Sequence, residues 1–248
     1  MKFAGTIFSL FILAVPSLAF AQTASSTVAV SGSVDLVVES TSLVPPFYTG
    51  KAIFATQGTA RIIALPNVME NGSALSANDL VFTWQRDGQT LSAESGAGKD
   101  AITVSGTVPI RDISVSVSVS DASGNVLATA SKILSPADPK VLVYEDNPLY
   151  GILFNKAMSG NYYLGQRSEL DLVAEPYFFN LASIDGQDST YKWFVNGNYA
   201  SPSGASNELI LKQAGNNLSG TAAVTLDANN NDRIFQYAST NFNVNFGI

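Results

Sequence analysis

Leu80-Val81-Phe82-Thr83-Trp84-Gln85-Arg86-Asp87-Gly88 and Thr190-Tyr191-Lys192-Trp193-Phe194-Val195-Asn196-Gly197 hold the chain's only two tryptophans, each with an aromatic residue two places before it and a glycine four places after it. Side chains of a strand alternate between faces, so Leu80, Phe82 and Trp84 share one face of a strand, and Tyr191, Trp193 and Val195 share the matching face of its counterpart. Phe82, Trp84, Tyr191 and Trp193 are therefore the candidate core residues of two equivalent units. Asp87-Gly88 and Asn196-Gly197 tolerate positive φ, which predicts a tight two-residue hairpin turn after each Trp strand.

The repetition extends outward from the two indoles. Upstream, Ile62-Ile63-Ala64-Leu65-Pro66 corresponds to Leu172-Val173-Ala174-Glu175-Pro176, each expected to be a short apolar strand stopped by its proline. Downstream, Ile113, Val115, Val117 and Val119 alternate with four serines, a half-buried strand whose counterpart is Ala222, Val224 and Leu226. These strands are expected to run into turns at 121–125 and 227–232, followed by final strands at 126–133 and 234–246. Two prolines in Ser135-Pro136-Ala137-Asp138-Pro139 fix φ and withhold amide donors, so the boundary falls there. The expected organisation is a signal peptide at 1–21, one β-sandwich at 22–135, a stiff linker at 136–139 and a second sandwich at 140–248.

Composition agrees with an all-β chain. Only 13% of the residues are charged while 46% are hydrophobic, and Val, Thr, Ser, Gly and Asn abound, as suits short strands and polar turns. The formal charge is −7, and losing Lys2 with a leader makes the product more acidic still. Nucleic acid is excluded as an expected partner, because phosphate recognition needs clustered Lys and Arg.

Lys2 precedes an apolar run at 3–15, then Pro16 and the small-x-small triplet Ala19-Phe20-Ala21. That pattern reads as a secretory signal cleaved before Gln22, with export by the Sec route. Retention of 3–20 as an anchor is the alternative. No later segment is long and apolar enough to span a bilayer, so no membrane span is expected in the mature chain.

The strand-borne Trp, the Asp/Asn-Gly turn and the later alternating strands resemble immunoglobulin-like and polycystic-kidney-disease-type modules of bacterial surface proteins. In the immunoglobulin family the equivalent Trp packs between sheets against a disulfide, whereas this chain has no Cys, so the resemblance is one of architecture. Pro46-Phe47-Tyr48-Thr49-Gly50-Lys51-Ala52 and Pro148-Leu149-Tyr150-Gly151-Ile152-Leu153-Phe154-Asn155-Lys156-Ala157 also resemble segments of exported two-domain proteins of candidate-phylum bacteria with small genomes. That second resemblance implies no particular activity.

With no His and no Cys, serine triads, cysteine nucleophiles and most zinc sites are unavailable, and no phosphate loop or Gly-x-Ser-x-Gly occurs. No catalytic residue, metal ligand or cofactor site is expected. Asp185 with Asp188, or Glu169 with Asp171, read as solvated loop charges, since local sequence cannot set the separation that glycosidase chemistry demands. Residues 227–232 are rich in oxygen ligands, but Asp232 stands where a calcium loop needs Gly, and a hairpin connection is the simpler reading. The better binding candidates are Tyr48 and Lys51 in the first segment and Tyr150 and Lys156 in the second, because loops carry function and Tyr offers an apolar face with a polar tip. Tyr162-Tyr163 and Tyr177-Phe178-Phe179 would suit stacking on sugar rings if exposed. The expected function is a non-catalytic surface spacer or adhesin-like module whose partner is a protein or a glycan of the cell envelope, with carbohydrate binding through exposed aromatics as the alternative.

Overall fold

The computed structural model describes residues 30–247 apart from 46, 71, 182, 185, 214 and 216–218, with the side chains of residues 30 and 31 also outside the description. The leader at 1–21, its cleavage point and Asp185 therefore lie outside the described residues. Among those described, no helix is long and apolar enough to cross a membrane.

The first sandwich is built from β1 (Val30–Ser40), β2 (Thr59–Glu70), β3 (Ser73–Ala74), β4 (Val81–Arg86), β5 (Gln89–Thr90), β6 (Gly96–Ala97), β7 (Ala101–Ser105), β8 (Ile113–Ser120) and β9 (Val126–Leu134). One sheet pairs β2 with β1, β3 and β7, and the facing sheet runs β5-β4-β8-β9 with β6 also on β4. This two-sheet layout is immunoglobulin-like. The alternation in β8 works as the pleat requires: Ile113, Val115, Val117 and Val119 are buried, while the serines lie on the other face. Leu80, Phe82 and Trp84 are fully buried among Ile62, Ala64 and the β8 valines. The Trp84 indole Nε1 donates to Lys99 O at 2.8 Å, so its one polar atom is satisfied inside the core.

The second sandwich repeats the plan with β10 (Lys140–Asn147), β11 (Gly151–Ile152), β12 (Gly160–Gly165), β13 (Glu169–Tyr177), β14 (Ser189–Val195), β15 (Asn198–Ala200), β16 (Glu208–Lys212), β17 (Gly220–Asn230) and β18 (Tyr237–Phe246). Its sheets run β11-β10-β13-β16 and β12-β18-β17-β14-β15. Trp193 is fully buried and Tyr191 nearly so, in a separate cluster with Leu170, Leu172, Leu226 and Val244. The Trp193 Nε1 donates to Ser206 O at 3.3 Å. Both Trp strands end in the same turn: φ is 50° and 79° at Asp87-Gly88, and 51° and 78° at Asn196-Gly197. Those values are the doubly positive pair of a type I′ hairpin.

Three expectations need correction. Neither proline stops its strand, because β2 continues four residues past Pro66 and β13 one past Pro176. Ala64 N and Ala174 N donate sideways to Asp100 O and Asn207 O. Two residues on, each proline turns its missing donor to that same flank, beyond the last β2–β7 pair at Ile63 and the last β13–β16 pair at Val173. A proline there forfeits no ladder bond. Secondly, Asp227–Asn230 is strand rather than turn, since Asp227 pairs with Lys192 on one side and Ser239 on the other. Thirdly, the last strand begins at Tyr237 instead of residue 234. Long-range pairing on both flanks overrides the turn-forming composition of the Asn run.

The segment at 135–139 does not merely separate the sandwiches. Ala137 bridges to Ala55, with Ala137 N donating to Phe54 O and Thr56 N donating to Ala137 O at 2.8 and 2.9 Å. The connection from β1 to β2 thus spans both sandwiches, with Phe54 packed in the core of the first and other residues of it docked on the second. Leu43 N donates to Phe179 O, and Phe178 N donates back to Leu43 O. At the centre of this joint lies Gln236, whose side chain is fully buried. Its Nε2 donates to Thr56 O at 2.7 Å and Asn180 Oδ1 at 3.1 Å, and its Oε1 accepts from Asn180 N and Asn230 Nδ2. Four bonds use the full capacity of a carboxamide. Gly58 is required beside it, because a Cβ there would stand 2.6 Å from Ala55 O and 2.8 Å from Asn180 Oδ1.

Candidate functional site

The two segments that the sequence pairs as copies, 46–52 and 148–157, both follow the first strand of their sandwich, and the structure brings them into contact. Phe47 packs edge-on against Phe154 with ring centroids 5.5 Å apart. Tyr48 packs edge-on against Tyr177 and Phe178, each at 6.0 Å, and its ring folds back onto the Gly50 backbone. Lys51 is exposed. Tyr48 therefore serves the joint, as an aromatic contact between the sandwiches.

Tyr150 and Lys156 go elsewhere. Asn147 Oδ1 accepts from Leu149 N and Tyr150 N, a local turn that Asn is suited to make. It holds Leu149 and Tyr150 outward, 84% and 79% exposed. The Lys156 ammonium lies 5.1 Å from the centre of the Tyr162 ring, within cation–π range. Of the stacking candidates, Tyr163 is exposed, but Phe178 and Phe179 are buried. Phe178 and Phe179 are thereby unavailable for sugar stacking, while Tyr177 is half-buried. Phe178 has φ 63°, a break in the pleat after which Phe179 enters the core while the Phe178 ring packs against Tyr48 and Tyr177.

Beneath Tyr162 lies a group that sequence reasoning missed. Glu145 lies near the end of β10, on the same face as Val141 and Val143, and is only 5% exposed. Its carboxylate accepts from the Tyr162 hydroxyl, from both Arg167 Nη1 at 2.6 Å and Nη2 at 3.3 Å, and from Asn147 Nδ2 at 3.0 Å. Burial pushes the Glu145 carboxyl up, but the bonds from Arg167, Tyr162 and Asn147 outweigh it and hold the group at about 2. This clamp ties the first strand, the β12 strand and the following loop together. Charged residues so far apart in sequence carry no local signal.

Outside the clamp, Asp146, Pro148, Leu149, Glu169 and Asp171 line a cleft of about 500 Å³. Glu169 pairs with Lys212 at 3.3 Å. Asp171 is raised by burial first and then by the neighbouring Glu169 and Asp146 charges, and its Oδ1 is buried without a hydrogen-bond partner. Glu169 and Asp171 thus share one sheet face, two residues apart, rather than facing each other across a groove. Among the described residues no group of three or more Asp or Glu is placed to hold a metal ion. Asp121, in the turn expected at 121–125, spends its carboxylate on Ser123 N, Asn125 N and Asn125 Nδ2.

A last buried carboxyl, Glu175, lies on the outer face of the β10–β13–β16 sheet, 3% exposed and with Oε2 unpartnered. Burial pushes it up to about 7. Near it the Tyr144 and Tyr177 hydroxyls meet at 2.8 Å. Tyr177 is raised by burial first and then by that bond.

No protein-family model matches the sequence, and no curated relative matches it. Solved structures similar to this chain include fibronectin(III)-like modules of Clostridium thermocellum CbhA, at 13% identity over 85% of this chain and 93% of that one, with a TM-score of 0.26. Immunoglobulin domains 1–4 of Sidekick-1 match at 13% identity over 90% of this chain and half of that one, with a TM-score of 0.32. The Ig1-2 module of the Drosophila receptor protein tyrosine phosphatase DLAR matches at 9% identity over 87% and 99%, with a TM-score of 0.27.

Proposed function

We propose that this chain is an exported, non-catalytic interaction unit, in which two sandwiches are held as a stiff spacer that carries its outer loops to a protein or glycan of the cell envelope. The observation that carries this reading is the fully bonded, fully buried Gln236, which ties Thr56 of the first sandwich's crossing to Asn180 and Asn230 of the second. A buried carboxamide tolerates no sliding, since a small displacement strands polar atoms away from water. Support for export comes from the leader pattern at 1–21. Small-angle scattering tests the spacer. The wild type is expected to fit one relative orientation of the sandwiches, and Gln236→Ala to require a spread of orientations. A wild type that itself needs a broad ensemble overturns the reading.

A second reading is favoured by the outward Tyr150 and Tyr163, which frame the clamp end of the second sandwich and offer flat faces to a sugar. Here a glycan array is expected to show retention that Tyr150→Ala weakens by roughly 5- to 30-fold, the loss of about 1–2 kcal/mol. Retention at background discards it.

A further inference from the structure

Glu175 sits at an unusual place for a carboxyl: it is buried on the outer face of its sheet, beside the residues through which the two sandwiches touch. In β13 it stands opposite Leu142 of β10, while Tyr144 stands opposite Val173 and Tyr177 opposite Lys140. All of these outer-face residues point the same way. The two tyrosines therefore flank the Leu142–Glu175 row from either end, and their hydroxyls meet at 2.8 Å, closing an arch over it. Onto that arch pack Phe154, against Tyr144 at 5.2 Å, and Tyr48 of the first sandwich's crossing, against Tyr177 at 6.0 Å. Next to it the Leu43 backbone exchanges two hydrogen bonds with Phe178 and Phe179.

We propose that Glu175 is a proton-sensitive latch on the joint: neutral, it lies closed beneath the Tyr144–Tyr177 arch, and on ionising it releases the contact that Leu43 and Tyr48 make with the second sandwich. This rests on the reading of the two sandwiches as a held pair. The ionisable groups of the elements packed around it are Lys140, Tyr144, Glu145 and Asp146 on β10, Glu169, Asp171 and Tyr177 on β13, Glu208 and Lys212 on β16, Tyr48 and Lys51 on the crossing, and Lys156 on the loop before β12. Among the described residues none of them forms an ion pair or hydrogen bond with Glu175. Nothing therefore offsets the cost of placing a charge there.

The sign follows from linkage. Burial holds the closed carboxyl at about 7, above its ordinary 4.5. Between those values the closed state keeps a proton that the open state has lost, so the latch is fully effective below pH 4.5 and weakens as pH rises toward 7. Above that it changes no further.

Hydrogen exchange at the amides of Leu43 and Phe178, corrected for intrinsic rates between pH 5 and 8, tests this in the full chain. In the wild type the opening equilibrium is expected to rise about tenfold per pH unit and to level off near pH 7. Glu175→Gln, neutral throughout, is expected to hold its protection flat over the same range. A wild-type profile without a pH-dependent segment overturns the latch, whatever the variant does, and so does a variant that tracks the wild type. In either case protection at Thr56 and Asn180, whose amides bond Ala137 O and Gln236 Oε1, leaves the spacer standing. Loss of protection at Thr56, Asn180 and Leu43 at every pH overturns the held joint, and the latch with it.

Discussion

The first sandwich extends the crossing after its first strand onto its neighbour, whereas the second folds the matching crossing back on itself. Residues 41–58 dock on the neighbouring sandwich through Leu43, Tyr48 and Thr56. Residues 148–165 instead return as β12, which pairs in parallel with β18 and supplies Tyr162 to the Glu145 clamp. The same position in a repeated plan has thus become a joint in one copy and an edge-closing strand in the other. Sequence repetition predicts the scaffold, and the crossings are where two copies of a scaffold part company.

The largest effect that could break this comparison lies in the cores. Trp84→Ala and Trp193→Ala should each cost about 3–5 kcal/mol, and each should lower only the calorimetric transition of its own sandwich, since the two indoles belong to separate clusters. A single transition that falls equally in both variants would show that the cores are not independent.

A smaller effect sharpens the difference between the crossings. Glu145 is held near 2 against an ordinary 4.5, so the clamp stabilises fully above pH 4.5 and is lost as pH falls toward 2, by roughly 2–3 kcal/mol before allowing for the half-exposed Arg167. Urea titrations at pH 4.5 and pH 2.5, a window in which Glu175 stays protonated whether closed or open, should show the second sandwich weakening more than the first, and Glu145→Gln should abolish the difference. The first sandwich's lowered carboxyls, Asp87 and Asp121, sit in surface turns and owe their shifts to Arg111 and Asn125 respectively.

Where the copies agree, the expected difference is nil. Gly88 and Gly197 have φ of 79° and 78° in open space, so Gly88→Ala and Gly197→Ala should each cost about 1 kcal/mol. Thermal melts that separate the two variants by more than a degree or two would reveal unequal hairpins.

Much of the fold was legible because its signals are local. The Ile113–Ser120 alternation and the Asp-Gly and Asn-Gly pairs need only a pleat and a positive φ, and both can be read from neighbouring residues. Asp227–Asn230 misled because its composition favours a turn while Lys192 and Ser239 bind it into a sheet from a distance. Pro66 and Pro176 misled because the cost of a proline depends on which flank of the strand is paired. The candidate residues fared unevenly for the same reason. Tyr48 and Tyr150 share a pattern, yet one faces a partner sandwich and the other faces solvent. Glu145, Tyr162 and Arg167 form one cluster, and Gln236 another, only after the chain has folded, so no window of sequence contains them.

The two prolines also bear on how this chain fares in company. A β-strand flank with free amides is a template on which another molecule's strand can grow, and repeated growth ends in fibrils. Pro66 and Pro176 remove a donor from the flank of β2 and β13 just past the point where the neighbouring strand stops. A protein without disulfides thereby carries, at the same register in both halves, a block against recruiting its own copies.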